Sequence, residues 1–191
     1  MSRTPDDALR EDLVERAFDY VCKHGLADLS LRPLADALGS SHSLLLYHFG
    51  SKDELIMKIL DVGRRRQHAA IRELASTTDL SPATIGRALW RIYGSKRWEP
   101  LARLFFEVYA LALQDRSRFP GFLTGAVDEW LDILASGRND PQTRTTATIV
   151  LAAFRGFRLD LSAARDRERV DRAAEQFFDL IEAMPAVTHC A

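Results

Sequence analysis

Two short segments of the chain place hydrogen-bond donors and cations on one surface. Leu31–Leu38 and His42–Phe49 read as short helices joined by Gly39-Ser40-Ser41. A three-residue turn between two such helices is the spacing of a helix-turn-helix, which crosses its helices so that the second can enter a DNA major groove. Ala35 is small where the helices would cross, and Leu34, Leu38, Leu45 and Phe49 supply a miniature core. The outer face is left with Arg32, Ser41, His42, Ser43, Tyr47 and His48, and Lys52 stands at the start of the next helix. Such side chains suit base edges and phosphates, and Gly39–Lys52 contains no acid.

Other chemistry-bearing residues form no comparable set. His24, His42, His48 and His68 show no HExxH or ExxH spacing, so solvated or groove-facing roles are expected and no metal site. GxGxxG, GxxxxGK[ST] and GxSxG are absent, and Cys22 and Cys190 form no CxxC pair. No catalytic residue and no cofactor is expected. Arg103 and Glu107 stand four apart on a segment that is otherwise apolar from Leu101 to Leu113, which places them on one stripe as an ion pair or a ligand-orienting pair. Arg64-Arg65-Arg66 reads as a solvated face. His189-Cys190 reads as a frayed tail.

The elements that must position the first set are helices. Apolar residues recur at three and four, and period-two alternation is absent. Breaks at Gly25, Gly39–Ser41, Gly50, Ala75–Ser81, Gly94–Lys96, Ser117–Pro120, Gly137–Pro141 and Ala164–Asp166 divide the chain into about nine helices. The first spans about Asp7–His24 and ends at Gly25, a natural left-handed terminator. Ser30 and Ser41 are expected to cap the two short helices. Ser51-Lys52-Asp53-Glu54 matches a capping box opening a long fourth helix to about Ala75; Gly63 inside it invites a bend. Ser81-Pro82 and Asp140-Pro141 open later helices, the second reaching about Leu161, and the last spans about Arg167–Met184.

Length and composition agree. The chain has 191 residues, 47% hydrophobic and 28% charged, enough for one packed domain or one and a small module. Its longest apolar runs, Val108–Leu113 and Ile149–Phe154, fall well short of the roughly 20 residues a membrane span needs. The polar, acidic start MSRTPDDALRED is no secretory signal, and two cysteines suit a reducing cytoplasm. The net charge is −1, and residues 1–55 hold 6 basic and 10 acidic side chains. Bulk charge therefore argues mildly against nucleic acid, and the clustering argues for it.

The stretch LSLRPLADALGSSHSLLLYHFGSKDEL, Leu29–Leu55, resembles the DNA-binding domain of TetR-type transcriptional regulators. Leu45, Tyr47-His48-Phe49, Gly50-Ser51-Lys52 and Glu54-Leu55 carry the likeness. The resemblance implies an all-α fold of about nine helices, with a three-helix helix-turn-helix head on a C-terminal ligand-binding and dimerisation bundle. It places Arg32 toward a base or phosphate, Ser41, His42, Ser43 and Leu44 at the start of the recognition helix, Tyr47 and His48 on backbone phosphates, and Lys52 on a phosphate at a helix N-terminus. The chain departs from the family at Leu44, commonly Thr, at Leu46, commonly a phosphate-binding Tyr, and at Ser43, usually Gly or Pro.

The resemblance also implies a ligand cavity. Aromatic residues concentrate past residue 89, and although each alone suits a core, the set exceeds what a small bundle needs. Trp90, Arg103, Phe105, Phe106, Glu107, Tyr109, Trp130 and Phe154 are the expected effector contacts. Phe157, Phe177, Phe178 and Ile181 exceed what one helix face buries and are the expected homodimer surface. The expectation is a cytoplasmic DNA-binding regulator, a repressor released from double-stranded operator DNA by a small apolar or aromatic effector. Residues 1–52 form its DNA-binding domain and 53–191 its effector-binding and dimerisation domain. The alternative is an all-α ligand-binding or enzymatic protein whose head is structural only; salt-dependent binding to random duplex DNA separates the two.

Overall fold

Gly25, Gly39 and Gly50 carry φ of 80°, 59° and 72°. That left-handed region is costly for residues with a Cβ, and all three glycines close helices there. The computed structural model describes residues 5–25, 29–75, 81–164 and 166–184; the His68 side chain and the His189-Cys190 tail lie outside the described residues. Among these residues the chain is helical without a strand. In order come α1 (Pro5–His24), α2 (Leu31–Ala37), α3 (His42–Phe49), α4 (Lys52–Ala75), α5 (Pro82–Tyr93), a 3₁₀ turn (Lys96–Trp98), α6 (Glu99–Gln114), α7 (Phe122–Ala135), α8 (Pro141–Ala164) and α9 (Arg167–Glu182). The all-α expectation holds, and α3 has the expected bounds.

Side chains decide where the helices start. Ser41 Oγ accepts from Leu44 N at 3.1 Å, Ser81 Oγ from Thr84 N at 3.1 Å, and Asp140 Oδ1 from Thr143 N at 2.8 Å. Each satisfies one of the orphan N–H groups of a first turn. Two expected caps differ. Ser30 has the extended backbone of a cap, but its side chain makes no capping bond. Ser51 Oγ does accept from Glu54 N at 3.1 Å, yet its own N–H donates to Phe49 O at 2.8 Å. The tight turn at Gly50 takes the donor that a full capping box would give to Glu54.

The chain forms two compact units, one from residues 1–71 with 100–123 and one from 72–99 with 124–191. In the first, Leu13, Ala17, Phe18 and Val21 of α1 form a buried face. They share the core with Leu34 and Ala35, Leu45 and Phe49, and Leu55, Ile56, Ile59 and Val62 of α4. Helix α4 continues through Gly63, where a Cβ would stand 2.6 Å from Leu101 Cδ1 and 3.2 Å from Phe18 Cε2. The glycine therefore serves close approach. The basic step beyond it is not simply a solvated face. Arg66 binds Glu15 at 2.5 Å and Asp19 at 3.5 Å with its guanidinium 4.4 Å from the Phe18 ring centroid, and Arg65 lies 3.7 Å from Glu15. These pairs fasten α4 to α1.

In the second unit α5, α8 and α9 pack together. Their core is built from Ala83, Leu89 and Trp90, from Ala147, Val150 and Leu151, and from Val170, Ala174 and Phe178. Asp171, Glu175, Asp179 and Glu182 recur at four, four and three along α9, which puts them on one stripe. Arg87 of α5 binds three of them, Glu175 at 2.7 Å, Asp179 at 2.9 Å and Glu182 at 2.9 Å. Trp90 Nε1 donates to the fourth, Asp171, at 3.0 Å. No helix of the described residues is long and apolar enough to cross a membrane.

Candidate nucleic-acid interface

Helix α3 has an inner and an outer stripe, set by its period. Leu45, His48 and Phe49, at i, i+3 and i+4, turn inward and are buried. Ser41, His42, Ser43 and Tyr47 are exposed, Tyr47 to 76%. Leu44 is half-buried, and Arg32 on α2 is exposed. The structure thus leaves His42, Ser43 and Tyr47 exposed on a single eight-residue helix, with Ser41 exposed at its N-cap. No acid stands on α3, and its N-terminal N–H groups add partial positive charge.

His48 requires correction. Its ring is buried, not on the outer face, because it shares the inner stripe with Leu45 and Phe49. Its Nδ1 lies 3.8 Å from Asp6 Oδ1, and its Nε2 is buried without a hydrogen-bond partner. The ring stands edge-on to Tyr47, centroids 5.1 Å apart. In this conformation it packs behind Tyr47 on the inner stripe.

Lys52 opens α4, and its Nζ donates to the Leu29 carbonyl oxygen, which leaves two ammonium N–H groups. The neighbouring Asp53 is engaged by Arg118. Nε donates to Oδ2 at 2.7 Å and Nη2 to Oδ1 at 2.9 Å. The pairing holds the Arg118 guanidinium pKa above its usual value, chiefly through the hydrogen bond to Asp53, with burial opposing.

The expected effector residues divide between the two units. In the first, Phe105, Phe106, Tyr109 and Phe122 pack on one another at centroid distances of 5.5–6.2 Å. Arg103 is exposed there, and a Cβ at Gly25 would lie 3.9 Å from Glu107 Oε1. In the second unit the Trp90 ring meets Phe154 and Phe157 edge-on, each at 5.8 Å, and Trp130 meets Tyr93 at 6.2 Å. An open cleft of about 480 Å³ lies against Trp90, with Arg91, Lys96, Arg167, Asp171 and Glu175 around it.

Of the expected dimer residues, Phe157, Phe177 and Ile181 are half-buried. Phe178 is corrected: it is 0% exposed and lies in the core of its own unit, in the space that Gly86 leaves on α5. Exposed apolar side chains do remain there, Ile149 and Leu159 on α8, Leu180 on α9 and Met184 just past its end.

Residues 13–59, covering most of α1, all of α2 and α3 and the first turns of α4, match the family model described as bacterial regulatory proteins, tetR family. Over these residues the chain is similar to the tetR family. Solved structures extend the likeness, in fold, to nearly the whole chain. A protein from Rhodococcus sp., assigned to the TetR-family transcriptional regulators, superposes with a TM-score of 0.73 at 17% identity over 91% of this chain and 98% of its own. A transcriptional regulator from Rhodococcus sp. Rha1 gives 0.67 at 23% identity over 92% and 99%. The multidrug binding protein EbrR, solved with imidazole, gives 0.66 at 23% over 97% and 94%. No curated protein matches the chain by sequence.

Three features of this chain escape a reading of its sequence. The Asp53–Arg118 pair joins residues 65 apart in the chain, and no local pattern announces it. The rim of the Trp90 cleft has a signal, since Arg167, Asp171 and Glu175 recur every four residues on one face of α9. Arg158 has one too: it follows Ala147, Leu151 and Phe154 at steps of four, three and four, which puts a charge on the inward stripe of α8, and it is buried.

Proposed function

We propose that this chain is a tetR-family transcriptional regulator, a repressor that binds operator DNA as a homodimer and is released by a small effector. The observation that carries the DNA reading is the exposed, acid-free side of α3. Ser41, His42, Ser43 and Tyr47 supply donors there, and Arg32 adds a cation from α2. In this reading Arg32, Ser43 and Leu44 meet base edges. Leu44 offers apolar contact to a thymine methyl. Ser41, His42, Tyr47 and Lys52 hold the backbone, and residues 1–52 act as the DNA-binding domain.

One recognition helix spans too few base pairs for useful specificity, and two-fold operators mirror two-fold proteins. The exposed Leu159 and Leu180 with the half-buried Phe157, Phe177 and Ile181 favour α8 and α9 as the surface between copies. Residues 53–191 then serve dimerisation and effector binding. Trp90, a core residue that also borders an open cleft, is the favoured effector contact of the aromatic set. Helix α4 is the continuous route from Lys52 to residues 72–75 of the second unit.

The test is a mobility shift with random duplex DNA across a salt series, followed by selection of binding sites from a random pool. A regulator binds, weakens with salt by counterion release, and enriches a two-fold sequence. A chain that binds no duplex at low salt, or enriches nothing, has a head that is structural only.

A further inference from the structure

Arg158 is 3% exposed in the middle of α8. Its Nη1 lies 3.4 Å from the Gly94 carbonyl oxygen, and its Nη2 is buried without a hydrogen-bond partner. Among the described residues no carboxylate stands within ion-pair distance of it. Burial depresses the guanidinium pKa, with Glu99 opposing at longer range and Arg167 adding to the depression. A buried cation of this kind is costly unless an anion compensates it.

A second cation converges on the same acceptor. Arg167, at the start of α9, donates through Nη2 to the Gly94 carbonyl oxygen, and its Nη1 lies 3.4 Å from Asp171 Oδ2. One neutral oxygen is thus shared by two guanidinium groups. Arg167 is also in the wall of the cleft of about 480 Å³, beside Trp90 and Lys96. The two acids of that wall are already engaged. Asp171 accepts from Trp90 Nε1 and Arg167, and Glu175 is held by Arg87 at 2.7 Å with Arg91 at 3.7 Å.

We propose that this corner of the second unit binds the carboxylate of an apolar organic acid, held by Arg167 and Arg158, and that such an acid is the effector. The inference rests on the regulator reading and deepens it. A carboxylate is a stronger acceptor than the Gly94 carbonyl for both guanidinium groups, and its two oxygens match their forked donors. Its charge also cancels the repulsion between them. The apolar part lies along the Trp90 ring, whose N–H is committed to Asp171 and whose edges are fixed by Phe154 and Phe157. A singly charged group fits better than phosphate, because Asp171 and Glu175 border the cleft and repel a dianion.

The test uses the full-length protein and isothermal titration with indole-3-acetate and octanoate. Indole-3-acetamide, the neutral counterpart of the first, and inorganic phosphate serve as comparisons. Both acids bind at least tenfold more tightly than the amide or phosphate, and R158M and R167M abolish that preference. Without ligand, R158M melts at or above the parent temperature, because the substitution removes an unpaired buried charge. Should R158M fail to fold, R167M on the half-exposed rim carries the same comparison. Binding of neither acid, equal binding of acid and amide, tighter binding of phosphate, or a preference that survives R167M overturns the site. Random duplex DNA in a parallel mobility shift separates the two readings. A protein that binds DNA but no acid overturns the site alone. One that binds acid through these arginines but never DNA upholds the site and overturns the regulator reading.

Discussion

Arg118 holds Asp53 with two parallel hydrogen bonds, at 2.7 and 2.9 Å. Asp53 sits in the first turn of α4, next to Lys52. A carboxylate there favours the helix N-terminus but opposes a DNA phosphate approaching Lys52. The guanidinium keeps the first effect and cancels the second. Both side chains are about one-third exposed, 34% and 31%, so screening limits the pair to about 0.5–1 kcal/mol of stability. Arg118→Ala is expected to cost that much in urea unfolding and also to weaken duplex binding, because it exposes the Asp53 charge. Asp53→Asn on the Arg118→Ala background restores DNA affinity but not the lost coupling. Equal affinities for the parent and Arg118→Ala would show that Asp53 does not face DNA.

Lys52 tests the phosphate role. Its ammonium stands at the N-terminus of α4 and already donates to the Leu29 carbonyl oxygen. Lys52→Ala is expected to weaken all DNA sequences alike and to lower the slope of log K against log salt by about 1. Because the Leu29 bond is lost as well, Lys52→Gln serves as the control that can still donate to it. A salt slope unchanged in both variants removes Lys52 from the interface.

Arg32 is exposed in the first turn of α2. Arg32→Ala is expected to cost about 1–3 kcal/mol on a selected site and less on random duplex. Competition titrations with both DNAs at one salt concentration measure the difference. An equal loss on both makes Arg32 a backbone contact.

The ends of the short helices are legible because local chemistry sets them. Gly25 and Gly39 terminate, and Ser41 caps, from positions the sequence marks plainly. His48 is harder: polarity places it outside, while the i, i+3 register with Leu45 and Phe49 places it inside, and the register wins. Phe178 looks surplus along α9 until Gly86, 92 residues earlier in the chain, opens a space for it. Contacts of that kind depend on which helices meet, and a single sequence does not carry that. The loss of the reciprocal half of the Ser51 capping box has the same character, since the Phe49 carbonyl is brought back by the turn at Gly50.

Gly86 offers a stability test. On helix propensity alone, Gly86→Ala would favour α5 by about 1 kcal/mol. A Cβ there stands 2.5 Å from Val150 Cγ1 and 2.8 Å from Phe178 Cε1. Both neighbours are 0% exposed, so neither has room to yield. Overpacking of this kind costs about 1–3 kcal/mol, and the clash is expected to win. Thermal unfolding should fall, by up to roughly 8 °C at this chain length, and an unchanged or higher midpoint would mean that α8 and α9 give way more easily than the packing implies.

Cys22 connects the core of the first unit to pH. Burial pushes its thiol from 9.0 up to about 11, Asp19 adds to the shift, and Arg66 and Arg103 oppose it. The folded chain therefore keeps the proton at pH values where the unfolded chain has released it. A group whose pKa is raised on folding contributes stability that is full below the unfolded value and is lost as pH rises through the folded one. For Cys22 that window runs from about 9 to about 11. Tyrosines and lysines titrate in the same range, so the parent alone is not diagnostic. The measurement is the difference in urea-unfolding free energy between the parent and Cys22→Ser, followed through that window. The difference should stay constant below its lower edge and then turn against the parent as pH rises. Alkylation of the folded parent should be slow at the lower edge and quicken toward the upper one, since the thiolate is the reactive form. A difference that stays flat throughout, with fast alkylation at the lower edge, would mean that the Cys22 thiol meets solvent in the folded protein.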